Sequence, residues 1–322
     1  MKYKKIVVVG GGILGSQIAF QSAYCGYDVT ILVVDEKSVE AVKDKLSNLS
    51  KIYTETIKSM KTKGEAGLWA RGIASVDSFN YEECIDRTKN ALKGITFEWN
   101  QESALKDADL VIESITEDFD AKASLYQQLA RVMPEKTVVV TNSSTLLPSK
   151  LAKHTGRPEK FLSLHFANEI WKNNIAEVMK HENTDDKYFN EIISFAESIN
   201  MIPLAARGEK QGYLLNSMLV PFLLSAMDLV ANGISDPETI DKAWTLGTGA
   251  PKGPFQIIDT VGLETAKNIV LQYQRVPDLL DPLLRKMMLP YNYDGMLEIL
   301  NDYISKGKLG KVTKEGFYKY KD

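Results

Sequence analysis

The chain has 322 residues, 44% of them hydrophobic and 25% charged, and a formal net charge of −3. It is long enough for two domains, since single cores stop growing at about 250–300 residues, and the composition excludes long disordered or fibrous segments. The small negative charge excludes a general attraction to nucleic acid or an anionic membrane. No run approaches the roughly 18 uninterrupted apolar residues of a membrane span; the richest, 214–230, holds Asn216, Pro221 and Asp228. Cys25 and Cys84 are the only cysteines, and neither has the spacing of a disulfide framework or a metal finger, so no metal is expected and a reducing cytoplasm fits.

The opening MKYKKIVVVGGG is basic and then apolar, but the apolar run ends within a few residues at three glycines, so it is read as a buried first strand and not a leader. A β-branched run at 6–9, a glycine turn and helically spaced apolar residues at 13–23 give strand, turn, helix. A strand at 29–34 follows. Val39, Val42, Leu46, Leu49, Tyr53 and Ile57 then recur every three or four residues among polar ones, which predicts a long amphipathic helix. Short apolar strands at 95–99, 110–112, 137–140, 161–165 and 175–178 alternate with helical stretches such as 121–133. That alternation predicts an α/β fold with a mostly parallel, doubly wound Rossmann-type sheet. Beyond about residue 205 the pattern becomes long, periodic and apolar without clear strands, at 213–230, 240–246, 263–273 and 295–303. The expected organisation is therefore 1–205 as a dinucleotide-binding domain and 206–322 as an all-helical domain. Ser235, Pro237 and Glu238 read as the cap, first-turn proline and capping-box acid of one of its helices.

Gly10-Gly11-Gly12-Ile13-Leu14-Gly15 satisfies G-x-G-x-x-G directly after a strand and at the start of a helix. In that setting Gly10 permits the tight turn, Gly12 lets backbone N–H groups approach a pyrophosphate, and Gly15 lets the helix lie close on the sheet. Asp35, twenty residues after Gly15, stands about where an acid gripping the adenosine ribose belongs. It reads equally as a solvated charge starting the next helix, with Val33 at the usual acidic position. No arginine follows the strand to meet a 2′-phosphate, so NAD is favoured over NADP.

Oxidising an alcohol with NAD needs a group to take the hydroxyl proton, and histidine is suited to it. His154 and His181 sit in charged contexts that suggest solvated surface positions. His165 ends the apolar strand FLSLH, where catalytic groups of open α/β sheets gather; by position alone a satisfied core histidine is an equal reading.

The segments TNSSTL (141–146), LHFANE (164–169), AEVM (176–179), GYLLNSMLVPFL (212–223), ISDPETIDKAWTLGTGAPKGPFQIID (234–259), VGLET (261–265) and GKVTKEGFYKY (310–320) resemble, in order, the motifs of the 3-hydroxyacyl-CoA dehydrogenases. The resemblance spans essentially the whole chain, and its most specific parts are the GPF-x-x-x-D-x-x-GL run and the closing EGFYKY. It implies His165 as the base, Glu177 as the carboxylate that orients it, and Ser144 and Asn216 as the groups holding the substrate oxygen. From the residues alone, Ser143 or Thr145 would serve as well as Ser144. Glu113, Asn142 and Asn168 match positions near the nicotinamide half of the cofactor. Lys51 and Lys58 are candidates for the phosphates of coenzyme A, or simply solvated lysines on a polar face. The family's HFFNP is here His165-Phe-Ala-Asn-Glu169, and the arginine that often follows the substrate asparagine is Ser217.

The implied activity is NAD-dependent interconversion of L-3-hydroxyacyl-CoA and 3-oxoacyl-CoA, in fatty acid metabolism or a short-chain fermentative route. An acyl-CoA partner and a homodimer through the helical domain are expected, with neither nucleic acid nor membrane. The alternatives are a dehydrogenase of a small free 3-hydroxy acid and a non-catalytic dinucleotide-binding protein on the same fold. A 6-phosphogluconate-like or hydroxyisobutyrate-like enzyme would carry a lysine where this chain has Asn216.

Overall fold

The computed structural model describes residues 2–64, 69–274 and 290–320. The chain divides into two compact units, Met1–Leu214 and Leu215–Asp322.

The first unit is built on one eight-stranded sheet of order β3-β2-β1-β4-β5-β6-β7-β8, from β1 (Lys5–Val9), β2 (Asp28–Leu32), β3 (Thr96–Glu98), β4 (Leu110–Glu113), β5 (Val138–Thr141), β6 (Phe161–Phe166), β7 (Ile175–Met179) and β8 (Ile202–Ala206). Strands β1 to β6 pair in parallel, β7 runs antiparallel to β6, and β8 returns parallel to β7. The sheet is thus mostly parallel and doubly wound. Because successive strand side chains point to opposite faces, β1 feeds two cores. Ile6 and Val8 join α1 (Ile13–Tyr24), α2 (Ser38–Lys63) and α3 (Tyr81–Gly94) on one face, while Val7 and Val9 join α4 (Gln101–Leu105), Tyr126 and Leu129 of α5 (Phe119–Leu129), and α6 (Pro148–Ala152) on the other. Strand order reverses between β1 and β4, which opens the crevice at their carboxyl ends where such sheets bind ligands.

The antiparallel turn of β7 follows from chain length. A parallel crossover needs a dozen or more residues, and the connection 167–174 is shorter. The long crossover comes next, through α7 (Asp186–Ser198), and it returns β8 parallel. β8 was not among the expected strands: it contains Pro203 and all its residues but Ala206 are exposed or half-exposed, as suits an edge strand but not an apolar run. Two histidines also differ from expectation. His181 is 2% exposed, beside the ring of Phe161, and His154 is half-buried against Phe119. Their charged neighbours in sequence turn outward while the rings pack inward.

In the second unit α8 (Leu215–Ala231), α9 (Pro237–Thr248), α10 (Pro254–Val261), α11 (Leu263–Tyr273) and α12 (Tyr293–Ser305) pack Leu223, Leu224 and Met227 against Phe255, Ile258, Val270, Met296 and Leu300. The expected cap of α9 moves by one residue. Asp236, not Ser235, is the N-cap and accepts from Thr239 N–H, because Pro237 with its fixed φ occupies the first helical position. The most specific sequence motifs prove to be structural ties. Asp241 accepts from Phe255 and Gln256 N–H at the start of α10 and from the Tyr318 hydroxyl. Asp259 accepts from Phe317 and Tyr318 N–H and from the Tyr320 hydroxyl. No described helix is long and apolar enough to cross a membrane.

Candidate active site

The glycine loop links β1 to α1. Gly10 has φ +106°, and a Cβ there would stand 2.6 Å from Ser114 O; at Gly15 it would stand 2.1 Å from Gly10 O. Both positions therefore exclude any side chain. At Gly12 a Cβ would meet no atom within 4 Å, so the loop is open on that side. Gly12 is the N-cap of α1 and supplies no side-chain cap, and the first turn has no acid. The first-turn N–H groups thus stay available to an anion, and Ile13 stands 69% exposed beside them. This open cradle at a helix N-terminus fits a pyrophosphate. Lys45 of α2, which the sequence did not single out, donates to Gly11 O at 2.9 Å and braces the loop. Asp35 is exposed three residues beyond β2, and its Oδ1 accepts from Ser38 N–H and Oγ, which lowers its pKa.

At the carboxyl end of β6, His165 lies directly opposite Glu177 in the antiparallel register with β7. Residues directly opposite share a face, with Cβ atoms about 4.5–5.5 Å apart, so their spacing in sequence becomes a side-chain pair. His165 Nδ1 stands 3.3 Å from Glu177 Oε2, with the carboxylate side chain only 4% exposed and the imidazole 16%. Leu214 N–H donates to the other oxygen, Oε1, at 2.9 Å. A carboxylate beside Nδ1 favours the tautomer protonated there, which puts the ring's lone pair on Nε2.

Next to this pair, the turn after β5 separates the three hydroxyls that sequence alone left interchangeable. Ser143 Oγ and Thr145 Oγ1 both donate to Glu117 Oε1, at 2.5 and 2.8 Å. Ser144, half-buried, is the hydroxyl of the three that Glu117 does not engage. Burial pushes the Glu117 carboxyl up, but the hydrogen bonds from Ser143 and Thr145 and the charge of Lys122 outweigh it, and the net shift is downward. Glu113 is fully buried, and its oxygens accept from Ile115 N–H, Lys122 Nζ, Tyr126 OH and Thr141 Oγ1 at 2.5–2.8 Å. That occupation leaves Glu113 no oxygen for a ligand. The accessible carboxylate on this edge is Glu117, which Lys122 also approaches at 3.5 Å. The signal for this cluster was in the sequence: Lys122 falls on the apolar face of α5, with Ala123, Tyr126 and Leu129, and a buried lysine needs a partner.

Asn142 Oδ1 accepts from Phe166 N–H at 3.0 Å, clamping β5 to β6 beside His165. Asn168 Oδ1 accepts from Gln17 Nε2 at 2.7 Å, and Gln17 Oε1 in turn accepts from Glu169 N–H, so α1 holds the loop after β6. Lys51 and Lys58 both lie exposed on the solvent face of α2. Asn216, half-buried, lies in the first turn of α8 in the second unit.

A glycine loop on a doubly wound sheet, with a histidine at the carboxyl end of β6 facing a carboxylate on the antiparallel β7, defines a dinucleotide-dependent oxidoreductase. The comparisons with known proteins agree and go further. The family profile for the 3-hydroxyacyl-CoA dehydrogenase NAD binding domain matches residues 5–209, and that for the C-terminal domain of the same family matches 212–320. The human mitochondrial hydroxyacyl-coenzyme A dehydrogenase is 31% identical over 318 residues, covering 99% of this chain and 91% of that one. The 3-hydroxybutyryl-CoA dehydrogenase of Clostridioides difficile is 30% identical, covering 98% and 99%. A solved structure described as a diketoreductase with substrate-directed dual catalysis of dicarbonyl compounds superposes with a TM-score of 0.80 at 42% identity, covering 99% and 100%. The chain belongs to the 3-hydroxyacyl-CoA dehydrogenase family, and NAD is its cofactor. One departure from the family's HFFNP has a backbone consequence: Glu169 adopts φ +57°, which a proline cannot.

Proposed function

We propose that this protein interconverts L-3-hydroxyacyl-CoA and 3-oxoacyl-CoA with NAD, using His165 as the base and Glu177 as its orienting carboxylate. The observation that carries this reading is the cross-strand pair, Nδ1 to Oε2 at 3.3 Å with the second carboxylate oxygen held by Leu214 N–H. In the oxidative direction Nε2 takes the 3-hydroxyl proton as the carbonyl forms, and Glu177 stabilises the resulting imidazolium, as the acid of a triad does. Bound NAD supplies the hydride acceptor. Ser144 and Asn216 donate to the substrate oxygen, and Glu117, with Lys122 buried behind it, lines the cofactor side. Lys51 and Lys58 offer charge to the coenzyme A phosphates, and Asp35 a carboxylate to the adenosine ribose. A homodimer through the second unit, working in the cytoplasm in fatty acid metabolism, completes the proposal.

A second reading rests on a specific observation: the diketoreductase structure is 42% identical, more than the acyl-CoA enzymes above. On that reading the substrate is a free dicarbonyl or 3-hydroxy acid, handled by the same pair. The deciding assay is NADH oxidation with acetoacetyl-CoA against a free dicarbonyl compound, in wild type and His165→Ala. General-base removal is expected to cost about 10²–10⁴-fold with NADH binding retained. A wild-type preference for the free dicarbonyl would replace the thioester reading, and a variant as fast as wild type would remove His165 from the mechanism.

A further inference from the structure

The chain leaving β8 passes directly over the histidine–glutamate pair, and Tyr213 is the residue it lays there. The Tyr213 ring is 2% exposed and stacks on the His165 imidazole, with centroids 4.6 Å apart and planes 18° from parallel. Its hydroxyl donates to Ser143 O at 2.5 Å, on the turn that carries Ser144. The next residue supplies the Leu214 N–H that holds Glu177.

The backbone adopts an unfavourable conformation at Tyr213 to do this. Gly212 takes φ +82° freely for want of a Cβ, but Tyr213 has φ +54°, and a bulky side chain at positive φ persists only where its surroundings over-determine it. Here they do: the ring packs with Met179, Ala206 and Leu147, and Tyr213 N–H donates to Lys210 O at 3.0 Å. Burial raises the phenol pKa well above its ordinary value, so the hydroxyl remains a proton donor to Ser143 O at any working pH.

A carboxylate at one nitrogen restrains an imidazole along a single bond and leaves the ring free to tilt about it. A flat ring stacked on its face removes that tilt and keeps water off that side. We infer that Tyr213 is a positioning residue for proton transfer: its stacked ring fixes the plane of His165 so that Nε2 meets the substrate hydroxyl, and its hydroxyl ties that plane to the Ser144 turn. The inference rests on the reading of His165 and Glu177 as the proton-transfer pair.

The test compares Tyr213→Phe, which keeps the stack, with Tyr213→Leu, which keeps bulk but not the flat face, and carries His165→Ala beside them. Tyr213→Leu is expected to lose about 10–100-fold in kcat with KM for NADH unchanged, and Tyr213→Phe to recover most of that rate. A Leu variant with wild-type kcat overturns the inference, and so does a Phe variant as slow as Leu, which would give the work to the hydroxyl alone. Should His165→Ala keep the wild-type rate, the proton-transfer reading itself fails, a result separable from either of these. An observation on the unmodified protein needs no folded variant. With three histidines in the chain, the His165 ring protons can be assigned by NMR. They are expected upfield of ordinary histidine positions because they lie over the tyrosine face; unshifted protons would overturn the stack.

Discussion

A single buried side chain shows how strongly burial governs charge in this protein. His181 was expected at the surface, yet it is 2% exposed, its Nδ1 accepts from Asn183 N–H at 3.3 Å, and burial depresses its pKa below the ordinary histidine value. A neutral folded histidine and a titrating unfolded one make the unfolded state bind more protons between the depressed value and about 6.5. Stability is therefore complete above that upper limit and falls as pH drops through the window. Thermal unfolding followed from about pH 7 to 5 should show a shallower acid loss in His181→Gln than in wild type, and identical slopes would remove His181 from the acid sensitivity. The Glu113–Lys122 pair is buried on both sides, and losing one partner of such a pair costs about 3–5 kcal/mol. The sequence signalled this cluster only through Lys122 on the apolar face of α5; that Lys122 meets Glu113 together with donors from β5 and the turn after β4 is decided by the sheet.

At the scale of elements, the glycine loop and the β6–β7 hairpin position the site. Gly15 lies where α1 crosses the end of β1, and the 2.1 Å approach to Gly10 O is to backbone, which cannot rotate away. Gly15→Ala should accordingly displace the first turn of α1 and weaken NADH binding by about tenfold or more, close to 1.4 kcal/mol. Isothermal titration checks this, and unaltered affinity would show that the first turn does not set cofactor affinity. The hairpin works by register. Since a slip of one residue sends every side chain to the opposite face, the opposition of His165 and Glu177 is as specific as a covalent spacing. The turn after β5 adds selection among hydroxyls: Glu117 engages Ser143 and Thr145, a choice that the string TNSSTL does not contain.

At the scale of the molecule, the second unit exposes apolar residues that a lone helical unit has no reason to show. Among its described residues, Leu246 at 84%, Val312 at 81%, Ile234 at 69% and Met218 at 67% are the most exposed, from α9, the closing segment, the stretch after α8, and α8. Large apolar side chains exposed to this degree suit a surface that a partner covers. Sedimentation at micromolar concentration is expected to give twice the 36.0 kDa of the chain, with Leu246→Lys shifting it toward the monomer; a wild-type monomer would refute the dimer. The two tied aspartates, Asp241 and Asp259, explain why the second unit's most recognisable residues serve its own architecture: they accept from α10 and from the closing segment 317–320, holding the bundle shut.

The sequence by itself determined the alternation of strand and helix, the glycine cradle, the family and the cofactor, because these rest on local period and on residues adjacent in the chain. The change of pattern to a helical second half was legible for the same reason. β8 was not, since an edge strand with a proline has neither the period nor the apolar run of a central one. Nor was the Tyr213 stack, although Gly212-Tyr213 stood in a recognised segment, because the residue it touches lies 48 positions earlier by number (213 − 165). Tertiary structure alone decided which hydroxyl Glu117 leaves unengaged, that Glu113 is sealed while Glu117 is not, and that the His165–Glu177 pair, which the resemblance implied, is made by the register of a hairpin. Each of these depends on register and burial, which come from packing and not from any stretch of the chain.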